Sequence, residues 1–402
     1  LGVEDVTSQN LPFVLEFFIG RFGFGLYLNI NFTFTGGAGN DQFTVRREDW
    51  VLDSASDFLP TYLPKFKYLR WAKKGDPLYI FLGQIENASL GNGFIMSGYT
   101  NTHFLPEKPI FGMSFDMDGK LYKFPYTGIE TFIGNLGVFD VMGGRFFIRP
   151  LSFLEDSLLK ELQIGATLAG DRNPFQFVPG QDIDGDGTAD TAVPVLIIGT
   201  DFRLPIISKK FFTFSTFGDL VFENTAKGGM LGIGGTILQI VPYRADIRFI
   251  GKGFIPVYFD ETYDLFRAEK YLLITASEKI PFHMGWFLST GVNLFANRIS
   301  FLVSVDGPFG YPVKTTVNGI PPDENFQNYP HLRVSLATSE KLFPIFIKAS
   351  YDKRLIRTGS DLISPENAVI DAILNFKLGP AVLSVNYKIR HQFSPSGGNT
   401  WE

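Results

Sequence analysis

Cysteine is absent from the 402 residues. That excludes disulfides and thiolate metal sites, and it suits an envelope protein that crosses an oxidising compartment unfolded. Long hydrophobic runs are missing as well. No stretch reaches about 18 consecutive apolar residues, so no transmembrane helix is expected. Positive charge is not in excess: 36 Lys and Arg against 41 Asp and Glu leave a net charge of −5, which offers no basic surface to nucleic acid. Histidine is scarce, and His103, His283, His331 and His391 stand apart from one another. There is no HExxH, GxSxG or Walker-type loop. The acid pairs Glu48-Asp49 and Glu155-Asp156 are neighbours in sequence and do not converge from separate strands, so glycosidase-type chemistry is not expected. Enzymatic function is therefore not expected at all. The chain opens at Leu1 with no basic leader and no initiator Met, and reads as a mature or trimmed form. Export has to be argued from the body of the chain.

What is abundant is phenylalanine, with 43 copies, and glycine, with 42. Aromatics make up 15% of the residues, yet the mean hydropathy is only +0.09. The chain is aromatic without being greasy on average. Residues 21–35, RFGFGLYLNINFTFT, resolve the paradox. Phe22, Phe24, Leu26, Leu28, Ile30, Phe32 and Phe34 alternate with Arg21, Gly23, Gly25, Tyr27, Asn29, Asn31, Thr33 and Thr35. Successive strand residues point to opposite faces, so one face is apolar and the other wet. Similar alternation recurs at 161–171, 243–249, 283–294, 299–305, 332–336, 345–352 and 383–390. A soluble sandwich or propeller also alternates. Three features favour a transmembrane barrel instead: strands longer than the soluble average of about 5–6 residues, a wet face rich in Arg, Lys, Asp and Asn, and too many strands for one sandwich.

The fold expected is all-β: one antiparallel transmembrane β-barrel spanning 1–402, with about 14–18 strands and room for a lumen. Short turns are expected on one side, among them 208–211, 277–280 and 339–342, each a Ser-Lys or Ser-Glu tetrapeptide. Long loops are expected on the other, at 86–108, 171–192, 254–268, 307–330 and 354–367. Residues 269–276 read as a strand. SFLEDSLLKEL at 152–162 reads as a short interfacial helix with Ser152 and Glu155 at capping-box spacing. The glycine-rich 83–98 lacks the context of a nucleotide site and reads as a loop folded into the lumen. Trp50, Trp71 and Trp286 suit interfacial aromatic girdles.

The carboxy-terminal LSVNYKIRHQF places Tyr387, Ile389 and His391 in alternation toward Phe393. On this strand and the overall pattern, the chain resembles the porin-like outer-membrane barrels of diderm bacteria. The resemblance is architectural and covers nearly the whole chain. It implies a bacterial outer-membrane location, contact with outer-membrane lipid, insertion by the barrel-assembly machinery, a small solute in the lumen, and a homo-oligomer or larger envelope complex as a further option. Nine residues follow Phe393. If 339–342 and 378–380 are inner-side turns, the last strand runs outward and leaves the ring one strand short. Truncation before a final strand is the expectation, with inverted sidedness as the alternative, because an open edge in lipid leaves unpaired backbone groups.

Two sets of candidate site residues follow. DIDGDGTAD at 182–190 carries Asp182, Asp184, Asp186 and Asp190 at positions 1, 3, 5 and 9 of a calcium loop, with Gly187 at the sharp turn and the Thr188 carbonyl at position 7. Position 12 is Val193 where an EF-hand has Glu. The cofactor expected is Ca2+. The second set is the lumen lining: Arg21, Asn29, Asn31, Asp201, Arg203, Arg244, Asp246, Arg248, Lys348, Lys388 and Arg390, whose charges would set selectivity. The leading function is a porin-like channel or transporter for small solutes. The alternatives are a non-conducting barrel that displays loops, and a soluble secreted β protein with calcium-bound loops.

Overall fold

The computed structural model describes residues 8–35, 42–51, 54, 61–105, 108–154, 157–178, 182, 188, 191–276, 278–317, 321–339, 343–378, 381–392, 400 and 401. The alternating segment at the N-terminal end forms a hairpin of β1 (Ser8–Ile19) and β2 (Phe22–Thr35). Gly20 turns it at φ +61°, a conformation a Cβ would resist. β3 (Gln42–Val45) is a short addition to the end of β2. β4 (Phe66–Trp71) pairs with β2 lower down. From there each strand pairs with the next: β5 (Leu78–Gly83), β6 (Gly112–Asp118), β7 (Thr127–Ile133), β8 (Val141–Ile148), β9 (Gln163–Asp171), β10 (Val195–Lys209), β11 (Phe212–Glu223), β12 (Ala226–Ile237) and β13 (Val241–Ile250). An excursion containing α1 (Tyr263–Thr275) follows. The meander resumes with β14 (His283–Leu294), β15 (Ile299–Pro308), β16 (His331–Thr338), β17 (Ile345–Lys353), β18 (Ala368–Leu378) and β19 (Ala381–Gln392). β20 (Thr400–Trp401) adds a two-residue pair to β19.

β19 pairs back onto β1 through Phe13↔Leu383, Val14↔Val382 and Leu15↔Ala381. Setting aside β3 and β20, eighteen of the twenty described strands make a ring of antiparallel pairings. That is the top of the range expected from the sequence. The open edge expected after the last strand is filled by β1, because the Gly20 turn makes two strands of 8–35. One rim carries the tight turns at 20–21, 210–211, 238–240 and 295–298. At the other rim lie the strand ends that bound 36–65, 84–111, 172–194, 251–282, 309–330 and 354–367, and there β1 begins and β19 ends.

Outward faces are apolar and bare. Leu220 and Phe222 are each about half exposed, and Leu231, Ile247 and Phe249 share that outer surface. On a soluble protein such a belt would be an aggregation hazard, whereas hydrocarbon covers it at no penalty. Among the described residues no helix is long and apolar enough to cross a membrane; the ring provides strands for that purpose. Tyr27, Asp201 and Asp246 lie on the opposite, inner face and are buried.

The hydrophobic core does not lie between sheets. It sits inside the ring, in the half nearer the long loops, where Ile197, Val221, Met230 and Ile250 of the wall meet Phe94, Met96, Phe254, Phe259 and Tyr263 of two in-folded segments, 84–105 and 253–276. The loop expected from the glycine-rich 83–98 therefore does fold inward. Three other expectations are corrected. Residues 269–275 belong to α1: Tyr263, Arg267, Lys270, Tyr271 and Ile274 recur at helical spacing, which an eight-residue window hides. The helix expected at 152–162 is reduced, among the described residues, to a single 3-10 turn at Leu158–Glu161, whose first free N–H, Leu159, is bonded by the Ser157 hydroxyl; Glu155 of the expected capping box lies outside the described residues. The turn 208–211 and Ser339 share a rim, but 278–280 lies at the opposite one; the rest of 339–342, and Ser277, lie outside the described residues.

Candidate functional site

The inner wall and its plug form the site. The first in-folded segment is pinned through its backbone, which glycines leave accessible. Gly91 N–H donates to Glu130 Oε2 at 3.0 Å. Asn92 donates to the Phe202 carbonyl at 3.0 Å and to Asp219 Oδ2 at 2.9 Å, accepts from Arg203 Nε at 3.0 Å, and its carbonyl takes Arg244 Nη1 at 2.6 Å. Beneath it, Arg145 forks onto Asp201 at 2.6 and 2.8 Å and reaches Glu130 at 3.0 Å, with both ends of the Arg145–Asp201 pair buried. Gly165 makes the room: a Cβ there would sit 2.5 Å from Asp201 Oδ2 and 2.6 Å from Arg145 Nε. Farther along, Asn101 accepts from Ile85 N–H at 2.8 Å and donates to the Gly134 carbonyl at 2.8 Å. Lys388 donates to the carbonyls of Thr102, His103 and Leu105 at 3.2–3.4 Å.

The second segment is clasped by charge. Arg267 on α1 makes a fork onto Asp171 at 2.7 and 3.0 Å and reaches Asp140 at 3.0 Å. Tyr263 adds its hydroxyl to Asp171 at 2.5 Å. Asp260 takes Lys270 at 2.8 Å and Arg354 at 2.9 Å. Those two cations, against burial, hold the Asp260 carboxyl far below the usual carboxylate range. Asp264 accepts from the Tyr99 hydroxyl at 3.1 and 3.2 Å, which joins the two segments. Burial, aided by the Asp140 charge and opposed by Arg267, pushes Asp264 up to about 7. Burial and the Asp352 charge push Glu261 up to about 7 in the same way. The segments also share backbone bonds, Val257 N–H to Phe94 O and Phe259 N–H to Ile95 O.

Charges continue across the wall. Asp246 holds Arg244 and Arg248 at 2.9 Å each; Arg248 reaches Asp306 at 3.5 Å; Arg333 pairs with Asp306; and His331 bonds Asp352 at 2.9 Å. Of these, Arg248, Asp306, His331 and Arg333 line a cavity of about 70 Å³, room for a few waters. Buried ions at this density hold only because each is paired.

The expected lumen residues separate into groups. Asp201, Arg244, Asp246 and Arg248 face inward and are engaged as described. Asn31 faces inward and donates to Asp49 of the 36–65 connection at 2.8 Å, and Asn29 donates to Asn31 at 3.2 Å. Arg203 faces the half of the lumen nearer the tight turns and is exposed there despite its bond to Asn92. Lys348 pairs with Glu86 of the plug, and both side chains stay wetted, at 50% and 41% exposure. Arg21 is corrected: it sits exposed in the β1–β2 turn at the rim and lines no wall. The Arg390 side chain lies outside the described residues. So do Asp184, Asp186 and Asp190 of the calcium loop, of which only Asp182 and Thr188 are described.

Sequence reasoning missed Glu86, Glu130, Arg145, Asp171, Arg267, Asp306, Arg333 and Arg354. Arg333 was legible, since it stands on the wet side of an alternating run. Arg267 was not, because its helix was not read.

No family model and no curated protein matches the chain. Among solved structures it is similar to Wzi, described as an outer membrane protein involved in group 1 capsule assembly in Escherichia coli and a carbohydrate binding beta-barrel, with a TM-score of 0.40 and 11% identity over 95% of this chain and 78% of that one. It is also similar to a doubly substituted OccD1 (OprD), with a TM-score of 0.32 and 9% identity over 96% of this chain and 97% of that one. The chain's own strand pairings and apolar outer surface make it an antiparallel β-barrel.

Proposed function

We propose that this outer-membrane barrel passes small polar solutes by a narrow route along the edge of its plug, between 84–105 and the wall made by β17–β19. The carrying observation is the Glu86–Lys348 pair, an ion pair joining plug to wall whose two side chains are both well wetted. The clasp of the second segment, Arg267–Asp171, is by contrast dry. Water therefore reaches this seam, and opposite charges there would select among solutes. The half-lumen nearer the tight turns supplies a vestibule, into which Arg203 points.

Planar-bilayer recording tests the reading. Refolded barrel is expected to give small single-channel steps, and Glu86→Ala with Lys348→Ala is expected to enlarge them. Silence from folded native and variant barrels alike would favour the display reading, which the closed loop-side half also supports.

A further inference from the structure

Outside the ring, at the long-loop rim, the outward faces of β14 and β15 run on past their last wall pairs. Phe282 and Met284 continue the lipid-facing side of β14, and Phe309 continues that of β15, its N–H bonded to the Met284 carbonyl at 2.8 Å. Phe282, Phe309 and Tyr311 are each more than half exposed. Above them 311–317 folds over, anchored by Val313 and Val317 against Ile280. The result is an open cleft of about 1460 Å³. Its floor is apolar and continuous with the membrane-facing belt. Its upper edge carries Lys252, Lys279 and Lys314 against a single acid, Glu278. Among the described residues none of these lysines is in an ion pair; Lys279 donates to the Thr225 hydroxyl at 2.9 Å, which fixes its position.

We infer that this cleft binds the headgroup of a phosphorylated membrane lipid, with the three lysines around the phosphate and the acyl chains lying down the Phe282–Met284–Phe309 wall. The charge is of the right sign, and ammonium groups at a membrane surface attract anionic lipid. An uncovered apolar floor beside cations fits an amphiphile better than a small soluble anion, which would leave the floor bare. The cleft also exceeds the size of an ordinary small-molecule pocket, about 300–1,000 Å³. This inference rests on the membrane placement of the barrel and not on conduction, so a silent channel leaves it standing.

The test uses the whole chain, folded in a non-ionic detergent and checked by heat-modifiable gel mobility. Native mass spectrometry then follows retention of short-chain phosphatidylglycerol, short-chain phosphatidylcholine or inorganic phosphate. One phosphatidylglycerol per barrel is expected to persist, with a preference over phosphatidylcholine on the order of thirtyfold, as about two surface lysines would give. Lys252→Gln with Lys314→Gln should abolish that preference. Lys209→Gln with Lys210→Gln, at the opposite rim beside exposed Phe211, should leave it intact. Three results would overturn the inference: no preference in the native barrel, a preference that survives loss of Lys252 and Lys314, or displacement of the lipid by equimolar inorganic phosphate, which would mean that the acyl chains add nothing.

Discussion

Replacing Arg267 with Met asks how firmly the plug is held. In the native chain its guanidinium satisfies two carboxylates, Asp171 through a fork at 2.7 and 3.0 Å and Asp140 at 3.0 Å, and all three side chains are at most 5% exposed. Met fills much of the volume and removes the charge, so two acids stay buried without a counter-ion. Breaking a buried pair in this way costs about 3–5 kcal/mol. At about 1.4 kcal/mol per tenfold, the docked-to-undocked ratio of 253–276 falls by roughly two to four orders of magnitude. The wall keeps its pairing, because β8–β9 and β9–β10 hydrogen bonds do not pass through Arg267. The barrel is therefore expected to stay folded while the plug opens. Hydrogen exchange should accelerate across 255–276, and bilayer currents should show frequent large openings. Adding Asp171→Asn should restore part of the loss, since it removes one stranded charge. If the Arg267→Met barrel exchanges and conducts like the native one, the plug is not held by this clasp and the energetic argument is wrong.

The acids of the plug give a pH dependence. Asp264 and Glu261 have folded pKa values raised to about 7, so the docked plug binds protons that the released one loses; docking is strongest below about pH 4, and this contribution declines as pH rises through 7. Conductance should accordingly be larger at pH 8 than at pH 5.5, and a flat profile would refute the assignment. Gly165→Val should destabilise by about 1–3 kcal/mol, because its side chain enters the Arg145–Asp201 fork; heat-modifiable mobility measured against urea reads this directly. For the carboxylate run at 182–190, calorimetric titration of the folded barrel with calcium should show binding that Asp184→Asn with Asp186→Asn removes. Leu231→Arg, on the lipid face, should lower barrel stability by about 2–4 kcal/mol if it lies near the bilayer midplane, whereas Arg203→Gln, which gives up one hydrogen bond to Asn92, should cost only about 0.5–1.5 kcal/mol.

Much of the wall was legible because a strand has a period of two. The run at 21–35 states its faces residue by residue, and the structure places Tyr27 inside and Phe24 outside as the alternation requires. Alternation weakens where the plug packs. Val195, Leu196, Ile197 and Ile198 are all apolar because the lipid takes one pair and the plug takes the other, so this strand reads as a buried run with no wet face. The tight turn at 208–211 was legible from its Ser-Lys-Lys cluster, but the rim on which 278–280 falls depends on how many strands precede it. The plug itself was only half visible. Glycine at 83, 91, 93 and 98 marked an unusual loop, and all four adopt positive φ. Nothing local marked Arg267, Asp171 and Asp140 as partners, since the contact joins residues 96 and 127 positions apart.

The absence of cysteine makes the most direct test simple, because any introduced thiol is unique. Single cysteines at 220, 231 and 249 on the outer face, and at 203 and 348 on the inner face, would be probed in lipid vesicles with a membrane-impermeant maleimide and a lipid-borne quencher. The account predicts that labels at the first three sites are quenched by lipid and closed to the polar reagent, and that the other two react from water. Polar labelling of 220, 231 and 249, with 203 and 348 protected, would contradict it.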